Sequence, residues 1–253
     1  MQVSIINLSK PEFRGNDFEF VHHVVSKITT GSSNFDSLLG GGLPVSCLTD
    51  VFGAAGTGKT QFCFQNAVTT CKYFEDRDEK GIKVVFVDCT GSFRPERIVE
   101  IAESRLLDPE PVLRAIFSIN VRSAAAQIEV SRRFDEDPSF AGCKLMIVDD
   151  LTSNFISDYS KESELPARQR ALSLYGRRLS YLANRRGLSV LVSNSIRSRG
   201  NLGEGETTGE VLSAYALYRL YFNRADRRRY MEIVQPNLSG EKIEFEIGKT
   251  GLS

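Results

Sequence analysis

A chain of 253 residues, 41% hydrophobic and 25% charged, has the composition of a globular α/β-sized domain that can bury a core without disulfide staples. Lys plus Arg and Asp plus Glu both number 32, so net charge alone gives no pull towards nucleic acid or an anionic membrane, and any polyanion contact must come from a local patch. No apolar run approaches the ~20 residues needed to cross a bilayer. The residues "MQVSIINL" are too short and too poor in positive charge for a signal peptide. Cys47, Cys63, Cys71, Cys89 and Cys143 are scattered, with no Cys-x-x-Cys pair. They read as reduced, buried thiols of a cytoplasmic protein, or of a nuclear one if the source is eukaryotic, and not as a metal site.

In chain order, residues 1–25 lack a self-sufficient core pattern and are expected to be an arm or linker ahead of a core spanning 26–253. His22 and His23 lie in that arm without metal-ligand spacing. Short β-branched runs then alternate with stretches whose apolar residues recur at helical spacing. The strand-like runs are "CLTDVFG", "KVVFVDC", "AIFSINV", "KLMIVDD" and "LSVLVSN". The helical stretches are "KTQFCFQNAVTTCKYF", "RPERIVEIAESRLL", "SAAAQIEVSRRF" and "ARQRALSLYGRRLSYLANRRG". Strands apolar on both faces and separated by helices predict an α/β fold with a mostly parallel sheet flanked by helices. After Ser195 the rhythm changes. A Gly-rich loop, "RSRGNLGEGETTGE", precedes "YALYRLYF", "YMEIVQ" and "KIEFEI", which predict a C-terminal antiparallel extension.

The chemistry lies in "GAAGTGKT". It fits Gly-x-x-x-x-Gly-Lys-Thr, the phosphate loop, through Gly53, Gly58, Lys59 and Thr60, with Ala54, Ala55, Gly56, Thr57 and Gln61 completing the stretch. Backbone N–H groups of such a loop turn inward around a polyphosphate, and Lys59 would neutralise the β and γ phosphates of ATP. The Thr60 hydroxyl would ligate Mg²⁺. The strand before the loop and the helix after it supply the required context. "LMIVDD" gives the second half, an apolar strand ending in Asp149, which would hold Mg²⁺ through water. Asp150 is the poorer candidate, because strand alternation should turn its side chain to the opposite face.

Beyond the phosphate loop, "ITTGSSNFDSLLGGGLP", "VDCTGSFRPERIVEIAE", "LMIVDD", "SDYSKESELPARQRAL" and "RLYF" resemble the RecA/RadA-type recombinases of the archaeal and eukaryotic branch. The resemblance runs from about Ile28 to the C-terminus. It implies a RecA-like P-loop ATPase core that binds ATP between subunits and assembles on DNA to drive strand exchange. The family's full-length recombinases carry a helix-hairpin-helix domain ahead of the core, for which this chain has no room, so it resembles the short RadB-like or paralogue members. The same resemblance makes Arg97 of "FRPER" the residue that packs on the adenine; the alternative is a helix-surface arginine paired with Glu96 or Glu100.

The departures from the family pattern fall on catalysis. Hydrolysing members read Asp-Thr-Glu-Gly where this chain has Asp88, Cys89, Thr90 and Gly91. The missing glutamate activates water, and a threonine hydroxyl is a poor base. The family's γ-phosphate-sensing glutamine is Ser195, a histidine of the same relay is Ala214, and an arginine of the first DNA loop is Ile156. The subunit-bridging cap reads Val234, Gln235, Pro236, then Leu238 and Ser239. These changes remove base, sensor and cap while keeping the cradle.

DNA contact would fall to Arg197 and Arg199 in the Gly-rich loop and to Arg227 and Arg228, with Arg224 and Arg229, at a hairpin turn. Glu204, Glu206 and Glu210 in the same loop oppose it, and solvated surface arginines are the alternative. The arm's "FRGNDF" resembles the family's Phe-x-x-Ala subunit-docking peptide, but Asn16 replaces the alanine after Phe13. The expectation is an ATP- and Mg²⁺-binding accessory paralogue of a RadA-type recombinase, partnered by that recombinase or another paralogue, with single-stranded DNA and an oligomeric state as further possibilities. Two alternatives stand beside it. One is a DNA-dependent ATPase with minimal strand exchange that uses another base, such as Asp88 or Asp150. The other is a KaiC-like RecA-fold regulator outside repair.

Overall fold

The structure, a computed structural model, describes residues 26–198, 204–206, 209–226, 228–236 and 241–253. The N-terminal arm with Phe13, His22 and His23, together with Arg199, Arg227, Leu238 and Ser239, lies outside the described residues.

Strands β1 (Lys27–Ile28) and β2 (Leu43–Pro44) pair antiparallel around a short helix α1 (Ser33–Leu38). The alternating run follows as β3 (Leu48–Gly53), α2 (Lys59–Glu75), β4 (Lys83–Asp88), α3 (Pro95–Ser104), α4 (Pro109–Ala115), β5 (Ile116–Asn120) and α5 (Ala124–Arg133). It continues through β6 (Cys143–Asp149), α6 (Ser153–Asp158), α7 (Leu165–Arg186) and β7 (Ser189–Ser198). The end of the chain supplies β8 (Glu204–Glu206), α8 (Gly209–Ser213), β9 (Tyr218–Ala225), β10 (Arg228–Gln235), β11 (Lys242–Phe245), β12 (Ile247–Gly248) and β13 (Gly251–Leu252).

The central sheet has the order β11-β10-β9-β3-β7-β6-β4-β5. From β9 to β5 the strands run parallel; β10 and β11 are antiparallel. The α/β expectation is therefore met, with one refinement. Of the three runs expected as an antiparallel extension, the first, β9, lies parallel to β3, with Val51 opposite Leu220. The sheet thus gains a further parallel strand before the direction reverses.

Both faces of the inner parallel strands β3, β4, β6 and β7 are buried, as their continuous apolar runs require. One core packs Val51, Phe86, Ile147, Leu191 and Phe222 under Phe62 and Phe64 of α2 and Ile98 and Ile101 of α3. The other packs Val85, Val148 and Val190 under Leu179 and Leu182 of α7. The expected helix "RPERIVEIAESRLL" is shorter than its periodicity suggested. It stops at Ser104, Leu106 sits exposed at φ +59°, and a separate helix α4 starts behind the Asp108 cap, which accepts from the Glu110 N–H at 3.0 Å. Strand β5 is the sheet edge, and its apolar residues are only partly covered.

Candidate nucleotide site

Parallel strands bring the C-terminal ends of β3, β4, β6 and β7 to one edge of the sheet, the usual crevice for a ligand in an open α/β fold. The phosphate loop leaves β3 there and runs into α2, whose first residue is Lys59. Gly53 is required by close approach, since a Cβ at that position would lie 2.0 Å from the Phe222 carbonyl oxygen on neighbouring β9. Gly58 is required by conformation; it caps α2 at φ +112°. The Thr57 hydroxyl closes the loop by donating to the Ala54 carbonyl at 2.9 Å, while Ala55 and Gly56 form its open tip.

Lys59 is buried beneath the loop and donates through Nζ to the Gly53 and Ala54 carbonyls, each at 2.8 Å. Burial lowers its pKa, and the nearby Asp150 and Asp149 carboxylates counter that shift. Asp149, the last residue of β6, is buried and collects three hydroxyls. Thr60 Oγ1 lies 3.0 and 3.2 Å from its two oxygens, Ser193 Oγ 2.6 Å from Oδ1, and Ser92 Oγ 3.1 Å from Oδ2. Burial raises the Asp149 pKa, with the three hydroxyl donors pulling the other way. A serine or threonine hydroxyl touching a buried carboxylate at the start of the helix is the hard-oxygen donor set that suits Mg²⁺ beside a polyphosphate. The residues present therefore fit Mg-ATP. Thr60 and Asp149 would hold the metal, and Lys59 with the loop N–H groups would hold the phosphates. The metal would supply charge neutralisation there.

Ser92 and Ser193 were not singled out from the sequence. Ser193 stands in the apolar run "VLVSN" at a position whose side chain meets Asp149, so alternation along β7 was the available signal. Nearby, burial drives the Cys63 and Cys89 thiols up, which keeps both neutral.

The other acids at the strand ends have distinct roles. Asp88 accepts four backbone N–H groups, from Thr90, Gly91 and Ser92 on Oδ1 and from Phe93 on Oδ2, at 2.9–3.1 Å. Burial alone would raise its pKa, but these four donors hold it below the ordinary carboxylate value. Its lone pairs are spent on folding the turn after β4. Thr90 is exposed on that turn. Asp150 corrects the expectation from strand alternation. It follows the end of β6 in a turn at φ +56°, its N–H donates to Ser193 Oγ at 2.9 Å, and its Oδ2 lies 3.4 Å from Ser195 Oγ. Its carboxylate therefore reaches β7 and acts on Lys59, because the alternation ends with the strand.

Arg97 uses its in-plane donors within the protein. Nε donates to Gln61 at 2.7 Å, Nη2 to the Gly248 carbonyl at 2.6 Å, and Nη1 to the Lys249 carbonyl at 3.3 Å and to Glu100. The Glu100 pair is present, and a guanidinium so held has only its face to offer an adenine ring. Ala214 is exposed, Ile156 is half-buried on α6, and Gln235 donates to the Ser213 and Ala216 carbonyls at 2.8 Å.

Of the basic residues expected to meet DNA, Arg224 and Arg229 pair across the β9–β10 hairpin, with Arg228 beside them. The backbone of Arg197 lies in β7, pairing opposite Gly205 of β8, rather than in an open loop. Arg228 is exposed and lies 3.6 Å from Glu244. Arg229, by contrast, comes from β10 to the phosphate loop, with Nε 3.5 Å from the Gly56 carbonyl. Among the described residues, no helix is long and apolar enough to cross a membrane.

Residues 22–253 match the Rad51 family. The chain is 33% identical over 236 residues to the DNA repair and recombination protein RadA of Cenarchaeum symbiosum, covering 90% of this chain but 58% of that protein, less than two thirds of its length. It is 34% identical over 239 residues to RadA of Metallosphaera sedula, covering 90% of this chain and 72% of that protein. RadA of Aeropyrum pernix is 32% identical over 234 residues, with 90% and 73% covered.

Proposed function

Because the chain belongs to the Rad51 family, whose members bind ATP with Mg²⁺ on a RecA-like core, we propose that it is an ATP-binding accessory paralogue of a RadA-type recombinase. It would serve homologous recombination and DNA repair with weak or absent hydrolysis. One observation carries this reading: the cradle of Lys59, Thr60 and Asp149 is complete, whereas the turn after β4 offers Thr90 and an Asp88 already committed to four backbone N–H groups. Binding without a positioned base gives a nucleotide-dependent shape, not a turnover machine; loss of a general base typically costs about 10²–10⁴ in rate.

ATP binding and turnover on one purified sample, with and without single-stranded DNA, test it beside Lys59→Ala. The expected outcome is binding that needs Lys59, with turnover near background in every condition. DNA-stimulated turnover abolished by Lys59→Ala would overturn it. That outcome would favour the DNA-dependent ATPase instead, which finds its support in Asp150, the strand-end carboxylate reaching Ser195. Membership of the Rad51 family supports recombination over a KaiC-like regulator outside repair.

A further inference from the structure

Helix α7 carries Arg168, Arg170, Arg177, Arg178, Arg185 and Arg186 and not one Asp or Glu, in a protein whose charges balance over the whole chain. Its buried side is Leu172, Tyr175, Gly176, Leu179, Leu182 and Ala183. The opposite side repeats at intervals of four and three residues, Arg170, Leu174, Arg177, Tyr181 and Arg185, all exposed. At 1.5 Å per residue this ridge is about 22 Å long. Leu174 is 61% and Tyr181 46% exposed, so two large apolar side chains stand among the arginines of this face.

The ridge is held in place. Tyr181 lies between two guanidinium groups, Arg178 and Arg185, with ring centroids 5.6 and 5.7 Å away, and Arg185 donates to its hydroxyl at 2.7 Å. Arg178 is in turn fixed to the end of α5 through the Ser131 carbonyl at 3.1 Å and Asp135 at 3.1 Å. Asp135 also faces Arg185 at 3.9 Å and Arg186 at 3.7 Å, so one acid meets three arginines. Arg132 is exposed on the adjoining end of α5, where the further acids are Glu136 and Asp137, the latter taken by Arg133 at 3.4 Å. The local charge stays positive. Pre-ordered Tyr and Arg side chains are what energetic centres of protein interfaces are made of, because little rotamer entropy remains to be lost on binding.

We propose that this ridge docks the recombinase partner through an acidic segment of that partner studded with apolar side chains. The proposal rests on the accessory-paralogue reading. Carboxylates would face Arg170, Arg177 and Arg185, and apolar groups would cover Leu174 and Tyr181. A nucleic acid phosphate chain meets the arginines but leaves Leu174 exposed with nothing to gain, which favours a protein partner.

The test is titration of the full chain with purified RadA-type recombinase from the same source, with Mg-ATP, at low and at physiological salt. The variants are Arg177→Glu/Arg185→Glu and Leu174→Asp, each checked for an unchanged thermal midpoint and unchanged ATP binding. Expected are binding that weakens with salt and a loss of about tenfold or more in affinity for each variant, since charge reversal at a ridge acts on encounter and leucine loss on residence. Recombinase binding unaffected by both variants overturns the ridge while keeping the accessory reading. Absence of wild-type binding in any nucleotide state overturns the accessory reading and the ridge with it. A variant that loses single-stranded DNA or self-association but keeps recombinase binding also overturns it, and makes the ridge a phosphate surface or a contact between copies of this chain.

Discussion

At the residue scale, Thr90 and Asp88 divide what one acidic turn does elsewhere in the family. Asp88 is the turn's internal anchor, and Thr90 is the exposed residue two positions before Ser92, whose hydroxyl meets Asp149. Replacing Thr90 with Glu should raise ATP turnover about 10²-fold or more with ATP affinity little changed, whereas Thr90→Ala should leave turnover at background; steady-state phosphate release measures both. A Thr90→Glu protein no faster than wild type would show that the missing acid is not what limits hydrolysis. Asp88→Asn should destabilise the fold by about 1–3 kcal/mol at neutral pH, because backbone donors lose a charged acceptor. The folded pKa of Asp88 lies below its unfolded value, so its contribution is present above about pH 4 and is lost as pH falls through the folded value. The gap between wild type and Asp88→Asn in urea unfolding should therefore close in acid. The cradle itself was legible from the sequence, since a phosphate loop needs its glycines and lysine at fixed spacing. Ser92 was not, because it lies in the turn after β4, outside any period; for Ser193, alternation along β7 gives a face but not the carboxylate it meets until β6 is placed beside it.

At the element scale, the parallel strands and their helices followed from apolar runs and helical periodicity, but the C-terminal hairpin β12–β13 did not. Two-residue strands have no period to read. The hairpin is fixed by tertiary bonds: Gln65 of α2 is buried, donates to the Thr30 carbonyl at 2.8 Å, and accepts from the Leu252 N–H at 2.5 Å. Arg97 and Arg105 hold the same segment through the Gly248, Lys249 and Thr250 carbonyls. A Cβ at Gly251, where φ is +101°, would fall 2.2 Å from Gln65 Oε1. The hairpin thus packs against the helix that begins at the phosphate loop. Gln65→Ala should cost about 2–4 kcal/mol, since it strips partners from two buried backbone groups, and should weaken ATP binding by freeing the carbonyls that orient Arg97. Unfolding by denaturant together with nucleotide titration separates the two effects. Unchanged stability would mean that the hairpin is not bound to the core through Gln65.

At the scale of the whole molecule, one buried polar group joins the parallel strands to the C-terminal extension. Asp50 on β3 accepts from Arg219 of β9 at 3.0 Å and from Asn194 of β7 at 2.5 Å, and all three side chains are buried. The Arg219 guanidinium also lies 4.6 Å over the Phe52 ring. The sequence shows Asp50 only as a polar residue inside "LTDVFG", and its burial depends on which strand comes to lie beside β3. That neighbour is β9, and the pairing turns β9 parallel to β3 rather than into a hairpin with it. A charge in the middle of a sheet is costly unless matched, which makes the pair a device for choosing that strand order over others. Asp50→Ala should destabilise the protein by about 3–5 kcal/mol because it removes the buried carboxylate that both Arg219 and Asn194 donate to, while Asp50→Leu/Arg219→Met should recover much of that loss. Urea unfolding of the three proteins decides it. A single variant as stable as wild type would show that Arg219 reaches water, and that strand order is set by the apolar contacts of Val51, Leu220 and Phe222 alone.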